Sequence, residues 1–364
     1  MNKPTDFMHR AITIAERARG QANPNPTVGS VIVKKGKVVG EGVTSKIGGP
    51  HAEINALMQA GPNSKNAELF VTLEPCCFHG RTSPCCEAIV KAGIRKVYYA
   101  IQDPDSRVRG RGSRYLKQNG VVVEKGLLKK QATDLHAMYL THRKKRRPHF
   151  ILKLAQTLDG QIATHSGHSK WITGIQARRH VHRWRSFVDA IIIGANTLNL
   201  DNPKLTVRHT SGRSPKPIIV DGRLRANPEA SLFTRADAIL VTGKNTPRRK
   251  RYAFAEKGTE LWTFPTSNGI IDLNDFAQHA GENQIVGAIV EGGGQLATAF
   301  LKARLIDDVH IYQAPKIIGK GTPGIGELNT NLISESLRLS EVNVQQLGKD
   351  ILYSGKVEYP CLQD

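Results

Sequence analysis

Four of the five cysteines in this chain fall within eleven residues, as two adjacent pairs, Cys76-Cys77 and Cys85-Cys86, and a proline stands before each pair. So tight a cluster cannot staple 364 residues together, and the opening segment, mixed polar and apolar, has no signal-peptide core. The chain is therefore expected in the cytoplasm, where clustered thiols serve metals or redox chemistry. Upstream, Pro50 leads into His51-Ala52-Glu53 at an expected helix start. Cys76 follows an expected strand, and Cys85 opens an expected helix.

The first half alternates helices and strands. Phe7, Ala11, Ile14, Ala15 and Ala18 at helical spacing predict a first helix over 6–19. A hairpin is expected over 28–33 and 37–41, then a helix over 50–60 that stops at Gly61. Buried strands are expected over 69–74 and 96–101, with a helix over 84–92 between them, entered by proline and left by Gly93. These elements make a three-layer α/β domain over residues 1–145. The alternation restarts at 149–154 in a second domain, 146–364. There, strands are expected over 189–193, 217–220, 238–241, 284–290 and 308–312, and helices over 176–187, 273–279 and 295–303. That spacing predicts a mostly parallel sheet with helices on both faces. The dense basic run 142–148 between the halves is expected to be a solvated linker.

Lys and Arg total 52 against 31 Asp and Glu, a net charge of +21. That charge admits nucleic acid, an anionic membrane surface or small anionic ligands as partners. No apolar run approaches the ~20 residues needed to span a bilayer.

Catalytic zinc takes three protein ligands and leaves a fourth place for water, and the backbone dipole at a helix N-terminus helps keep a thiolate deprotonated. His51 with two cysteines meets that need. Glu53 can reach the water without ligating the metal, take its proton and pass it to a leaving amine. The order matches the zinc deaminase signature H-x-E…P-C-x-x-C with one difference. Three residues after Cys76 stands His79, and the next cysteine beyond the first pair is Cys85. Cys76, Cys77, His79, Cys85 and Cys86 therefore compete for two seats. Cys76 and Cys85 are favoured, because each follows a proline at a chain turn. His51 or one cysteine alone would be read as an ordinary polar or small apolar residue, but the whole set is not.

Through N-P-N-P-T-V-G at 23–29, P-H-A-E at 50–53, T-L-E-P-C at 72–76, G-R-T-S-P-C at 80–85 and Q-D-P at 102–104, the first half resembles the deaminase half of the bifunctional riboflavin-biosynthesis deaminase/reductases. The likeness continues in Lys153-Leu154, Leu158-Asp159-Gly160, Ser169-Lys170-Trp171-Ile172-Thr173, Asp201-Asn202-Pro203, Leu205-Thr206-Val207-Arg208 and Glu291-Gly292-Gly293. It implies a cytidine-deaminase-like first domain and a dihydrofolate-reductase-like α/β second domain, with Zn2+ and NADPH as cofactors. The family's zinc ligands map onto His51, Cys76 and Cys85, and its proton shuttle onto Glu53. The implied reactions are hydrolytic removal of the 2-amino group of 2,5-diamino-6-(5-phosphoribosylamino)pyrimidin-4-one, and reduction of the ribosyl chain to ribityl by NADPH. Asn25 and Asp103 are candidates to hold the pyrimidine edge, and Arg81 to meet the phosphate. The chain departs from the family at Thr44, where histidine is usual, and at Asp105, where asparagine is common.

In the second half the apolar run 286–290 enters Glu291-Gly292-Gly293-Gly294-Gln295 and then a helical segment. Backbone N–H groups in such a turn can approach phosphate closely, although glycines between strand and helix are common. The turn at 291–295 and the helical segment after it do not carry the full Rossmann G-x-G-x-x-G pattern. The resemblance implies cofactor contacts from Ala155, Trp171, Thr197, Asp201, Gly293, Gly294, Gln295, Leu296, Ala297, Thr298 and Ala299. It implies contacts to the phosphoribosyl substrate from Ser169, Arg185, Leu205, Arg208 and Glu291, with Lys153 near the reacting end. Guanidinium groups suit phosphate, and hydride transfer needs mainly positioning. The bland alternatives are a core aromatic for Trp171, a solvated charge for Arg185 and a turn residue for Asp201.

The rival function is a nucleic-acid adenosine or cytidine deaminase with a basic binding domain, a class often single-domain with the tighter cysteine spacing. A zinc module without catalysis leaves Glu53 unexplained, because a closed structural site would use a fourth protein ligand. The expected partners are a small phosphorylated pyrimidine and further copies of the chain, with neither nucleic acid nor membrane.

Overall fold

In the computed structural model, which describes residues 3–80 and 83–360, short apolar runs bounded by turn residues form the strands of two sheets. The chain divides into two units, Met1–Arg146 and Arg147–Asp364.

In the first unit, α1 (Pro4–Arg17) buries Phe7, Met8, Ala11, Ile12 and Ala15, the stripe that a 3.6-residue period supplies. Strands β1 (Gly29–Lys34) and β2 (Lys37–Val43) form an antiparallel hairpin. Helix α2 (Ala52–Ala60) ends at Gly61. There follow β3 (Glu68–Leu73), α3 (Cys85–Lys91), β4 (Lys96–Ile101), α4 (Arg111–Gln118), β5 (Val122–Lys125), α5 (Lys129–Leu135) and α6 (Ala137–Lys145). The sheet order is β2-β1-β3-β4-β5, with β3, β4 and β5 parallel. Helix α1 packs with α5, and α2 with α3, so helices cover both faces. Parallel strands place their carboxyl ends together, and the Cys76 turn leaves β3 at that edge.

The run 142–148 departs from the solvated linker expected of it. Residues 142–145 close α6, which buries Tyr139, Leu140 and His142, and Arg146 at φ +55° ends the helix. Apolar side chains one turn upstream have a core to pack against, and they carry the basic residues into helix with them.

The second unit opens with β6 (His149–Gln156), β7 (Gln161–Thr164), α7 (Ile175–Arg185), β8 (Ala190–Gly194) and α8 (Ala195–Asp201). It continues through β9 (Lys216–Asp221), β10 (Ile239–Gly243), α9 (Arg248–Ala255), β11 (Glu260–Phe264), β12 (Thr266–Ser267) and β13 (Ile270–Ile271). It closes with α10 (Leu273–Glu282), β14 (Gly287–Glu291), α11 (Gly294–Lys302), β15 (Ile306–Gln313), β16 (Gly321–Pro323), β17 (Arg338–Leu347) and β18 (Asp350–Glu358). The nine-stranded sheet has the order β11-β10-β9-β8-β14-β6-β15-β18-β17. It is parallel from β11 to β15, and β18 and β17 add antiparallel. The strand order reverses around β14, held between β8 and β6, and ligands of open α/β sheets bind beyond carboxyl ends at such a point. Among the described residues no helix is long and apolar enough to cross a membrane.

Candidate zinc and nicotinamide sites

His51 is the N-cap of α2, Cys76 lies on the turn after β3, and Cys85 opens α3. Their ligand atoms lie within 4.8 Å of one another. His51 Nδ1 is 3.5 Å from Cys76 Sγ and 3.3 Å from Cys85 Sγ. Helix α4 presses against the Cys76 turn so closely that a Cβ on Gly112 would sit 2.1 Å from the Pro75 carbonyl oxygen. Two sulfurs and an imidazole at this spacing, with no fourth protein donor among the described residues, fit an open zinc site.

The electrostatics favour a thiolate there. Hydrogen bonds from the Cys85 thiol, His51 and the Cys85 N–H, the last 3.3 Å from Cys76 Sγ, hold the Cys76 pKa down to about 4. Cys85, the donor of that pair, is pushed up, and His51 is raised by its bond to Cys76. Glu53 is 4% exposed in the first turn of α2, and burial, reinforced by Cys76, raises its pKa to about 7. A carboxyl poised near neutrality can both take and return a proton.

The other contenders face elsewhere. Cys77 Sγ lies 3.7 Å from the Arg107 carbonyl, and Cys86, buried and raised by burial, turns to the carbonyls of Pro75 and Gly112. His79 is exposed and pairs with Glu87 at 3.2 Å. Asn25 is half-buried in the turn before β1. Asp103 is buried, accepts the Tyr139 hydroxyl and the Asp105 N–H at 2.9 Å each, and is raised by burial to about 6. The Thr44 hydroxyl accepts the Val28 N–H at 2.9 Å. Arg81 lies outside the described residues.

In the second unit the corresponding place is the carboxyl edge of β6, β8 and β14. Lys153 and Glu291 are register partners on adjacent strands. Arg185 grips Glu291 bidentately, Nε to Oε1 at 3.0 Å and Nη2 to Oε2 at 2.6 Å, with side chains only 11% and 8% exposed. Arg185 is thus a buried, paired charge and not a solvated one. Burial would raise Glu291, but Arg185 and Lys153 outweigh it and hold its pKa at about 2. Burial lowers Lys153 against the pull of Glu291.

Beyond Glu291, the Gly293 N–H donates to Thr197 Oγ1 at 3.1 Å, which ties the glycine turn to α8. A Cβ on Gly294 would lie 2.3 Å from the Pro323 carbonyl oxygen. That approach is to the protein's own backbone, and the N-terminus of α11, preceded by the half-buried Gly292 and Gly293, fits a pyrophosphate. Gln295 and Ala299 are exposed, whereas Leu296 and Ala297 face the core and can offer only backbone. Thr298 Oγ1 donates to the Gly294 carbonyl at 2.6 Å and accepts the Gly326 N–H at 2.7 Å. Trp171 is 63% exposed, with the Arg178 guanidinium 4.4 Å over its ring, so it is no core aromatic. Asp201 ends α8, 3.6 Å from Lys170 Nζ. Ala155 sits on β6 opposite Tyr312, and Ser169 is half-buried. The Leu205 side chain is in the core, and exposed Arg208 donates its backbone N–H to His182 Nδ1 at 3.1 Å.

Sequence reasoning missed three residues here. His182 is buried and lowered to about 4 by burial and neighbouring arginines. Tyr312 bonds His180 Nδ1 at 2.8 Å, and His310 stands beside Lys153 in register. The alternation of His310 and Tyr312 on β15 was the available signal.

The chain matches the family model of the RibD C-terminal domain over residues 148–353, and that of the cytidine and deoxycytidylate deaminase zinc-binding region over 1–101. It is 38% identical to the riboflavin biosynthesis protein RibD of Actinobacillus pleuropneumoniae, across 95% of this chain and 93% of that one. Among solved structures, an Acinetobacter baumannii RibD is 35% identical with a TM-score of 0.88, across 97% of this chain and 98% of that one. A Thermotoga maritima diaminohydroxyphosphoribosylaminopyrimidine deaminase/5-amino-6-(5-phosphoribosylamino)uracil reductase is 32% identical with a TM-score of 0.83, across 98% of each chain.

Proposed function

Since the chain belongs to the RibD family of riboflavin-biosynthesis proteins, we propose that the two sites divide its two reactions between them. The protein is a bifunctional enzyme. It deaminates 2,5-diamino-6-(5-phosphoribosylamino)pyrimidin-4-one hydrolytically and reduces the ribosyl chain to ribityl with NADPH. A nucleic-acid deaminase is disfavoured, because the family match extends through the second unit.

Zinc held by His51, Cys76 and Cys85 supplies the Lewis acidity that turns water into a nucleophile, and NADPH supplies the hydride. Glu53 takes the water's proton on its carboxylate and, with a pKa of about 7, gives it back to the departing amine. Asn25 and Asp103 hold the pyrimidine edge, Asp103 fixed by Tyr139, and Arg81 meets the phosphate. In the second unit Gly294 and Gln295 offer backbone N–H groups to the cofactor's pyrophosphate, and Gly293, its own N–H held by Thr197 Oγ1, lines the turn. Trp171, Thr197, Asp201 and Ala155 border the cofactor, with Leu296, Ala297, Thr298 and Ala299 along the helix behind the turn. Ser169, Leu205, Arg185 and Arg208 orient the phosphoribosyl chain, with Lys153 and Glu291 at its reacting end.

The observation that carries this reading is the convergence of His51, Cys76 and Cys85 beside the buried Glu53. Feeding the diaminopyrimidine phosphate with NADPH tests it. Ammonia release should precede loss of NADPH absorbance, and NADPH oxidation with no ammonia would overturn the division. The enzyme works in the cytoplasm on this small phosphorylated pyrimidine, as a homo-oligomer. Val342 and Val344, 54% and 56% exposed on the edge strand β17, support association of copies, which sedimentation would read.

A further inference from the structure

Resting on that reading of the first unit, we propose that Arg107 is a phosphate-binding residue of the deaminase site that makes it specific for phosphorylated substrate. The loop from β4 to α4 is laid along the zinc turn. The N–H groups of Gly110 and Ser113 donate to Glu74 at 3.0 and 3.1 Å, and Cys77 Sγ lies 3.7 Å from the Arg107 carbonyl. Arg107 is thereby anchored against the neighbour of the Cys76 ligand. Asp103, assigned to the pyrimidine edge, is four residues earlier on the same loop, within ~14 Å of chain even if fully extended.

The Arg107 guanidinium is already oriented. Its Nε and Nη2 donate to Asp105 Oδ1 and Oδ2 at 3.0 and 2.7 Å, and its carbon stands 4.3 Å over the Phe78 ring, two residues beyond Cys76. Asp105 is buried and kept ionised, its pKa held at about 2 first by these bonds. Nη1 has no partner among the described residues, and the side chain is 56% exposed. Arg143 lies 3.9 Å from the same carboxylate, so two guanidinium groups face Asp105, and Arg109 on this loop and Arg111 at the start of α4 are exposed. A fork braced by a carboxylate on one edge and a ring on one face loses little freedom on meeting an anion at its open edge.

The test compares deamination of the phosphorylated substrate and of its dephosphorylated nucleoside by the wild type, Arg107→Ala and Arg107→Lys, with zinc content measured on each. Arg107→Ala should raise KM for the phosphorylated substrate roughly tenfold or more, hold kcat within about twofold, and leave the nucleoside's KM unchanged. Arg107→Lys should recover part of the loss, and inorganic phosphate should compete less well against Arg107→Ala than against the wild type. Equal losses on both substrates would make Arg107 a loop clamp and overturn the proposal, as would no change on either. If Arg107→Ala loses zinc, the phosphate competition curve of Arg107→Lys decides. A wild type that deaminates neither compound would instead bring down the deaminase reading, and this proposal with it.

Discussion

The zinc site gathers donors from residues 51, 76 and 85, each at a helix start or a strand end. The second unit's site joins Arg185 to Glu291, 106 residues apart, and the glycine turn proposed for the cofactor is shaped by side chains that are missing. The first site depends on which atoms are present: sulfur, imidazole nitrogen and a buried carboxyl. The second depends on how closely backbone can approach and on a charge pair that burial makes expensive to break. Removing one atom type should therefore disable the first and spare the second, whereas adding a methyl group should do the reverse.

The largest effect expected is from stripping zinc with a chelator. Ammonia release should cease, while NADPH oxidation continues when the already deaminated pyrimidine is supplied. Cys76→Ser or Cys85→Ser should mimic chelation in metal stoichiometry, and Cys77→Ser or Cys86→Ser should keep the zinc. Chelation that stops both activities without unfolding the protein would erase the contrast and point to one coupled site.

Next in size, Glu53→Gln should retain zinc and lose roughly two to four orders of magnitude in deamination rate. A near wild-type rate would show that the proton moves by another group. The smallest expected effect is that of Gly294→Ala. Its Cβ would lie 2.3 Å from the Pro323 carbonyl oxygen, so the turn must shift. NADPH affinity, read by fluorescence titration, should weaken about tenfold, a common cost of overpacking, with deamination untouched. Unchanged affinity would mean that the cofactor does not use this turn.

Strands with plain apolar runs were legible. The expected 96–101 is β4, and the expected hairpin is β1 and β2 with the second strand extended to Val43. Helices α4, α5 and α9 were not, because their sequences are largely polar or charged and give the apolar stripe only one or two buried residues each: Gly112 and Leu116, Ala132 and Leu135, and Phe254. Strand β17 is an edge strand exposed along nearly its whole length, so its alternation carries no strong burial signal. The same limit applied to Arg185, whose basic helix suggested solvent. Its acidic partner comes from β14, and no local pattern announces a contact over that separation.

The sequence by itself determined the chemistry available: a histidine and cysteines at chain turns, a carboxyl two residues from the histidine, and glycines where a strand meets a helix. It also limited where those groups could stand, because proline and glycine fix helix starts and stops through local backbone sterics. Only the tertiary structure decided among neighbours. Cys85 and Cys86 are chemically identical and adjacent, but about 100° of helical turn separates them. That turn sends Cys85 to His51 and Cys86 to the carbonyls of Pro75 and Gly112. Which face of α3 meets the zinc turn is set by how the helix packs on the sheet and on α4. That packing is a property of the whole core, which the two cysteines do not encode.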